Sequence, residues 1–371
     1  MSEFSANDRD AVQVHSEADL AALIALAGLP SLSPRRFWSL IELGSPAETW
    51  QRVAAGGAPR HGRGPDAATR WPGWSSLIDP ERELARHRST GVAVLPFGHS
   101  GYPDALLCDP DPPAVVFRQG PCTLDDRVRV AIVGTRKCTP YGRDIARELG
   151  ASLAHRGVDV VSGLASGIDA AAHAGAASQD PARMVAVVAG GVDVVYPPRN
   201  RGLYEKVATS GALLSEWPLG ASPAPWRFPA RNRLVAAMSA AIVVVESPEK
   251  GGSMYTVDEA LTRDRAVFAV PGNIRSPVSR GTNKLIADGA HALYDINDLL
   301  DSVAPLQGPT LIQTTLGLDS WLLEAIGWEP MELDHLVGEC GRTPSEVTLE
   351  VERLIGGGAL RRLGGVIERV A

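Results

Sequence analysis

Between residues 92 and 303, short β-branched and apolar runs alternate with segments of helical periodicity. Residues 128–133, 159–161, 184–188, 241–245 and 267–270 are almost continuously apolar, as strands buried on both faces must be. The stretches between them, among them 141–155, 168–177 and 256–263, are long enough to cross a sheet as helices. The pattern predicts a parallel, doubly wound α/β sheet, with additional strands at 95–96 and 115–117 ahead of the first βα unit.

The flanks read differently. From residue 17 to about 52 the apolar positions fall at helical spacing: Leu20, Leu23, Ile24 and Ala27, then Phe37, Trp38, Leu40 and Ile41. Ser33 before Pro34 and Ser45 before Pro46 each supply an N-cap followed by proline at the first helical position. The turn 29–34 has the outline of a helix-hairpin-helix turn. Ser31 and Ser33 stand where such a turn needs glycines to bring amides to a phosphate, so it reads as structural. Residues 56–76, rich in Gly, Pro and Arg, predict a loop, and a helix follows at 80–89. Beyond a Pro/Gly linker at 304–309, two helices (333–339 and 344–355) precede a hairpin (359–363 and 366–370, turning at Gly364-Gly365). Helix-turn-helix plus hairpin is a winged-helix pattern. The expected division is a helical SAM-like domain at 1–91, an extended Rossmann-like domain at 92–303 and a winged-helix domain at 309–371.

A chain of 371 residues exceeds what one hydrophobic core usually serves, which agrees with that division. No apolar run approaches a membrane span, and residues 1–16 are polar and unlike a signal peptide, so a cytoplasmic protein without membrane contact is expected. Cys108, Cys122, Cys138 and Cys340 lack zinc-site spacing and read as free thiols. A net charge of −7 would oppose a nucleic-acid partner if evenly spread, but the basic residues form islands. Arg127, Arg129, Arg136, Lys137, Arg143 and Arg147 face Asp144 alone; Arg227, Arg231 and Arg233 cluster without an acid; Arg199 and Arg201 flank Asn200. Arg makes up 32 of the 36 basic residues, which GC-rich coding explains; the clustering is the informative part.

Ligands of open parallel sheets bind beyond the carboxyl ends of the strands. Gly134-Thr135-Arg136 follows the first strand of the βα series, Ser162-Gly163 the second, with Ser166-Gly167 opening the next helix. Gly251-Gly252-Ser253-Met254-Tyr255-Thr256 follows a third. Glycines admit a close ligand, hydroxyls donate, and the helices that follow present unpaired N–H groups, so together the turns predict an anion-binding rim. Neither G-x-G-x-x-G nor a Walker loop is present, so no nucleotide cofactor is expected. The basic islands suit a polyanion. His173 and Asp169, one helical turn apart, read as packing or capping groups before catalytic ones.

Residues 130–136, 162–169 with His173, Tyr196-Pro197 with Asn200, Leu214-Ser215-Glu216, 228–233 and 252–256, in this order, resemble the DNA-processing protein A (DprA/Smf) family over about residues 92–300. The resemblance implies an extended Rossmann domain that binds single-stranded DNA without a cofactor or catalysis, forms a homodimer and helps load the RecA recombinase onto incoming DNA in natural transformation. By position it implies phosphate contacts at Gly134, Thr135, Arg136, Ser162, Gly163, Ser166 and Gly167, and at Gly252, Ser253, Met254 and Thr256. Arg199 or Arg201 beside Asn200 would serve the family's basic segment, since Gly202 occupies one such place. Arg231, Asn232 and Arg233 either contact DNA or hold their helix to the sheet. Leu293, Ile296, Leu299 and Leu300 either form a dimer interface or pack within the domain. The tail carries Glu329, Glu332, Asp334, Glu339, Glu346, Glu350 and Glu352 against Arg342 over residues 329–352, which favours a protein contact over DNA reading. The competing reading is a phosphoribohydrolase-like nucleotide enzyme with Glu259 as its acid, although Met254 and Tyr255 disturb that loop's spacing.

Overall fold

The computed structural model describes residues 10–59, 67–124, 127–303, 322, 331–340, 342–356, 360–363 and 366–369. The chain divides into two compact units, Met1–Gln307 and Gly308–Ala371.

Among the described residues of the first unit, nine strands form one sheet: β1 (Ala93–Pro96), β2 (Val115–Gln119), β3 (Arg129–Val133), β4 (Asp159–Ser162), β5 (Met184–Val187), β6 (Ala212–Ser215), β7 (Ala241–Val244), β8 (Ala266–Ala269) and β9 (His291–Ala292). Their order is β1-β2-β6-β5-β4-β3-β7-β8-β9. β2 runs antiparallel to both β1 and β6, and the remaining pairs are parallel, for example Ala131 opposite Val161 of β4 and Ile242 of β7. Every residue of β3 to β7 is buried, as continuous apolar strands require. From β3 the chain builds outward through β4, β5 and β6, then returns to the other side of β3 to add β7, β8 and β9. The order therefore reverses between β3 and β7, where an open sheet leaves a crevice at its carboxyl edge.

Ahead of the sheet stand α1 (Glu17–Ala27), α2 (Pro34–Ile41), α3 (Pro46–Ala54), α4 (Trp71–Ser75) and α5 (Pro80–Ser89), and α6 (Asp104–Leu107) falls between β1 and β2. The two Ser-Pro starts behave as expected: the Ser33 hydroxyl accepts from Arg36 N, and Ser45 with Glu48 forms a reciprocal capping box. These helices share one hydrophobic core with the sheet. The Trp38 indole donates to Pro112 O at 2.8 Å, and the His87 ring, anchored on Glu83 O, accepts the Leu219 amide at 3.2 Å. Within the expected loop 56–76, residues 67–75 are instead helical. The cause is Trp71, fully buried, whose indole donates to Pro30 O at 3.0 Å. Residues 60–66 of that loop, the linker 304–309 and the 364–365 turn lie outside the described residues.

The later helices are α7 (Pro140–His155), α8 (Ile168–Ala176), α9 (Arg201–Ser210), α10 (Arg227–Ala237), α11 (Met254–Leu261), α12 (Arg280–Ala287) and α13 (Ile296–Val303). Leu293, Leu299 and Leu300 are buried in this unit's own core and Ile296 packs against it, which favours the second of their two readings. The second unit holds α14 (Leu333–Cys340), α15 (Pro344–Gly356), and a small antiparallel sheet of β10 (Met331–Glu332), β12 (Val366–Arg369) and β11 (Leu360–Leu363), in that order. It has its own core, including Leu336, Val347, Val351 and Ile367.

His173 of α8 is wholly buried against β4 and β5, and burial pushes its pKa down to about 4. The unfolded chain takes up this proton near pH 6.5, so between pH 6.5 and 4 the unfolded state binds more protons and stability falls as pH falls. The shift corresponds to about 3 kcal/mol. Comparing urea unfolding of the wild type and His173→Gln across that window should show a shallower pH dependence in the variant; parallel curves would contradict the assignment.

Candidate functional site

Two depressions meet at the carboxyl edge around Arg136. One, a cleft of about 410 Å³ over the β3–β7 switch point, is lined by Gly134, Thr135, Phe228, Pro248, Gly252 and Tyr255, among others. The other, about 320 Å³, is walled by Arg136, Lys137, Arg143, Arg147 and Arg199, with Ser166, Gly167 and Asn200 between them and no carboxylate. Helix α7 supplies Arg143 and Arg147 because its polar face turns outward: both are exposed while Ala146 and Leu149 are buried.

The rim loops are set by two buried carboxylates. Glu246, just after β7, accepts from Thr139 N at 2.8 Å and Thr139 Oγ1 at 2.5 Å, while its backbone carbonyl accepts from Thr135 N at 2.7 Å. It thereby caps α7 through Thr139 and pins the Gly134-Thr135-Arg136 turn. Asp169, in the first turn of α8, accepts from Gly163 N at 3.1 Å and Ala165 N at 3.4 Å. Burial pushes the Asp169 carboxyl up, and the positive charge of Arg231 opposes that shift. At Gly163 a Cβ would come within 1.8 Å of the Arg231 guanidinium, so a side chain there would displace Arg231 from its buried position. At Gly167 the backbone is left-handed, φ +83°, and a Cβ would meet Thr135 O at 2.3 Å.

The expected site residues sort by what their side chains are already doing. Arg136 is exposed, and its guanidinium lies 4.7 Å from the centre of the Phe228 ring, a cation–π contact that orients it over the cleft mouth. Arg199 is exposed, and its Nε donates to Ser166 Oγ at 3.0 Å. Asn200 donates to Leu164 O at 2.8 Å and holds the 164–166 turn. Thr135 Oγ1 accepts the Lys137 amide at 3.2 Å, and Asn232 reaches Gly252 O at 3.4 Å. Ser162 is fully buried and donates to Ile132 O at 2.7 Å, so its hydroxyl faces the sheet and not the rim. Ser253 donates to Ser247 Oγ at 2.8 Å and Thr256 is buried, while Met254 packs on the core. Arg201 is exposed but lines neither depression.

For Arg231 and Arg233 the burial favours holding α10 to the sheet. Arg231 donates to Val187 O, and Arg233 pairs with Glu216 and reaches Asp111 O at 2.6 Å. Burial pushes Glu216 up to about 7 against the attraction of Arg233. The basic island at 127–147 is also divided. Arg129 is buried at the far end of β3, donating to Met238 O and Leu124 O, and Arg127 sits 3.9 Å from Asp159. Lys137, Arg143 and Arg147 were legible as charge but not as site residues; their placement needs the α7–α8 packing. Tyr255, a member of the 251–256 turn that the sequence does not single out as a site residue, is 58% exposed on the cleft wall.

Fold and site define a doubly wound α/β protein whose carboxyl edge carries a basic basin beside an apolar cleft. The family model described as DNA recombination-mediator protein A matches residues 93–304, and the chain belongs to this family. The DNA processing protein DprA of Bacillus subtilis is 40% identical over 223 residues, which span 60% of this chain and 75% of that one. Across the curated relatives, the match spans from 55% to 75% of their length. The X-ray structure of DNA processing protein A from Streptococcus pneumoniae superposes with a TM-score of 0.63 at 28% identity, covering 77% of this chain and 97% of that one. A Helicobacter pylori DNA processing protein A structure, described for its single-stranded DNA binding mode, superposes with a TM-score of 0.53 at 29% identity over 58% of this chain and 96% of that one.

The sorting of arginines is testable by stability. Arg233→Met strips the counter-charge from Glu216 and Asp111 and should cost about 3 kcal/mol of unfolding free energy. Arg136→Ala removes an exposed side chain and should stay within about 0.5 kcal/mol of the wild type. Equal midpoints in urea for all three proteins would contradict the structural role of Arg233.

Proposed function

We propose that this chain binds single-stranded DNA along the rim, as a recombination mediator acting on incoming strands. The observation that carries the reading is the basin of five cations and no carboxylate in a chain of net charge −7, opening directly onto an apolar cleft. Several cations lining one depression suit a run of phosphates, and an apolar cleft beside them suits a strand whose bases are unstacked. The name of the Helicobacter pylori relative points to the same ligand class for that protein. The nucleotide-enzyme reading is weakened by Glu259, whose carboxylate is held by Arg263 at 2.5 Å and does not line the cleft; the carboxylate that does, Asp169, is buried and engaged with backbone amides.

The rest of the reading extends from this site. Two rims on one strand act at high effective concentration, which motivates a homodimer, and the resemblance brings the RecA recombinase as partner. With Leu293, Leu299 and Leu300 occupied in the core, the dimer has to use other residues. The leading helices are read as a SAM-like accessory domain and the second unit as a winged-helix domain that contacts protein, because its acidic residues repel phosphate. The described residues contain no helix long and apolar enough to cross a membrane, in keeping with a cytoplasmic role.

Arg136→Ala should weaken binding about equally for all single-strand sequences and flatten the log–log salt dependence by roughly 0.7, since one phosphate contact is lost. Fluorescence anisotropy at several salt concentrations reads both quantities, and unchanged values would sink the rim assignment. Removal of residues 309–371 should leave the affinity close to that of the full chain; loss of most binding would instead make the second unit the DNA reader.

A further inference from the structure

The aromatic surface beside the rim does not end at Phe228. The residue preceding α10 is Trp226, 41% exposed, and its ring meets that of the buried Trp217 edge-on at 6.0 Å. Arg227 spans the pair: its guanidinium lies 5.1 Å from the Trp217 ring and 5.3 Å from the Trp226 ring, and it donates to Ser222 O at 2.7 Å. No carboxylate among the described residues forms an ion pair with Arg227. On its other side Trp217 borders a small crevice that Ser33, Pro34 and Phe37, at the start of α2, also line.

A single exposed tryptophan needs no explanation. Here the exposed ring is backed edge-on by a buried one, carries an uncompensated cation beside it, and follows directly on the rim. Arg136 covers Phe228, Phe228 lies 5.5 Å from Tyr196, and Trp226 is two residues from Phe228 at the same end of α10. A ring with those neighbours suits a nucleobase, because every base offers a π face and the adjacent phosphate meets a positive charge.

We propose that Trp226, backed by Trp217 and Arg227, is a base-stacking platform that carries a single strand from the rim across the amino-terminal end of α10 towards α2. The inference rests on the rim being a single-stranded DNA site, and it lengthens that site without adding a phosphate contact at Trp226. The track then has a phosphate-reading part, governed by salt, and a stacking part, governed by the presence of bases.

The test compares the full-length wild type, Trp226→Ala, Trp226→Phe and Arg136→Ala on an unmodified oligonucleotide and on one of equal length carrying abasic residues. Trp226→Ala should weaken binding of the unmodified strand about five- to tenfold, with the salt slope unchanged. It should bind the abasic strand as the wild type does, and Trp226→Phe should recover most of the loss. Unchanged affinity of Trp226→Ala for the unmodified strand overturns the platform, as does an equal loss on both strands or a flattened salt slope. If Trp226→Ala fails to fold, Trp226→Phe and the wild type decide: equal wild-type affinity for the two strands overturns it. If Arg136→Ala also binds as the wild type does, the rim reading itself has failed; if Arg136→Ala weakens binding and Trp226→Ala does not, the platform alone is wrong.

Discussion

A buried carboxylate beneath the rim organises this site. Asp169 lies in α8, holds the turn after β4 through the Gly163 and Ala165 amides, and shares its electrostatic surroundings with Arg231 of α10. Burial works against both charges, pushing the acid up and the guanidinium down, while their mutual attraction opposes each shift. Arg231 in turn donates to Val187 at the end of β5. Through these separate hydrogen bonds the two buried charges tie α8 to the turn after β4 and α10 to the end of β5. Gly163 complements Arg231, since the guanidinium fills the space a side chain would take.

That arrangement has a consequence for the anion site. The Gly163 and Ala165 amides, which a strand-end turn would ordinarily offer to a phosphate, are already donating to Asp169. Positive charge therefore has to come from side chains, and it does: Arg136, Lys137, Arg143, Arg147 and Arg199 converge from the β3 turn, α7 and the segment before α9. Exposed cations reaching a polyanion from several elements give binding that responds to salt and is tolerant of sequence. The buried arginines, Arg129, Arg231 and Arg233, instead satisfy carbonyls and carboxylates that the fold encloses.

The helices before the sheet belong to the same packing problem. Trp38, Trp71 and His87 each reach a backbone group with a side-chain nitrogen, and Trp38 and His87 do so across to the sheet region at Pro112 and Leu219. Aromatic side chains with one or two polar ring atoms suit this position, because they contribute apolar area and still satisfy an otherwise buried polar group. The continuous core from Val12 to Val303 is the result, and the start of α2 shares a crevice with Trp217.

The sequence by itself determined the periodicities and the punctuation. Strands β3, β4, β5, β7 and β8 stand out as apolar runs because both their faces are covered, and Ser33-Pro34 and Ser45-Pro46 announce their helices through local capping chemistry. The turns at 134–136, 162–167 and 251–256 were visible as ligand-type loops for the same local reason. Weaker local signals were lost: β6, four residues long, had stood out only as a motif, and the helical turns at 67–75 form because Trp71 finds a buried site at Pro30. What only the tertiary structure decided is which arginines are free. Arg136 and Arg233 are alike in type and both sit in basic clusters, yet one lies exposed over Phe228 and the other is enclosed with Glu216 and Asp111. Charge along a chain counts residues, whereas availability depends on burial and on partners distant in sequence, and those exist only once the sheet has closed its order around β3.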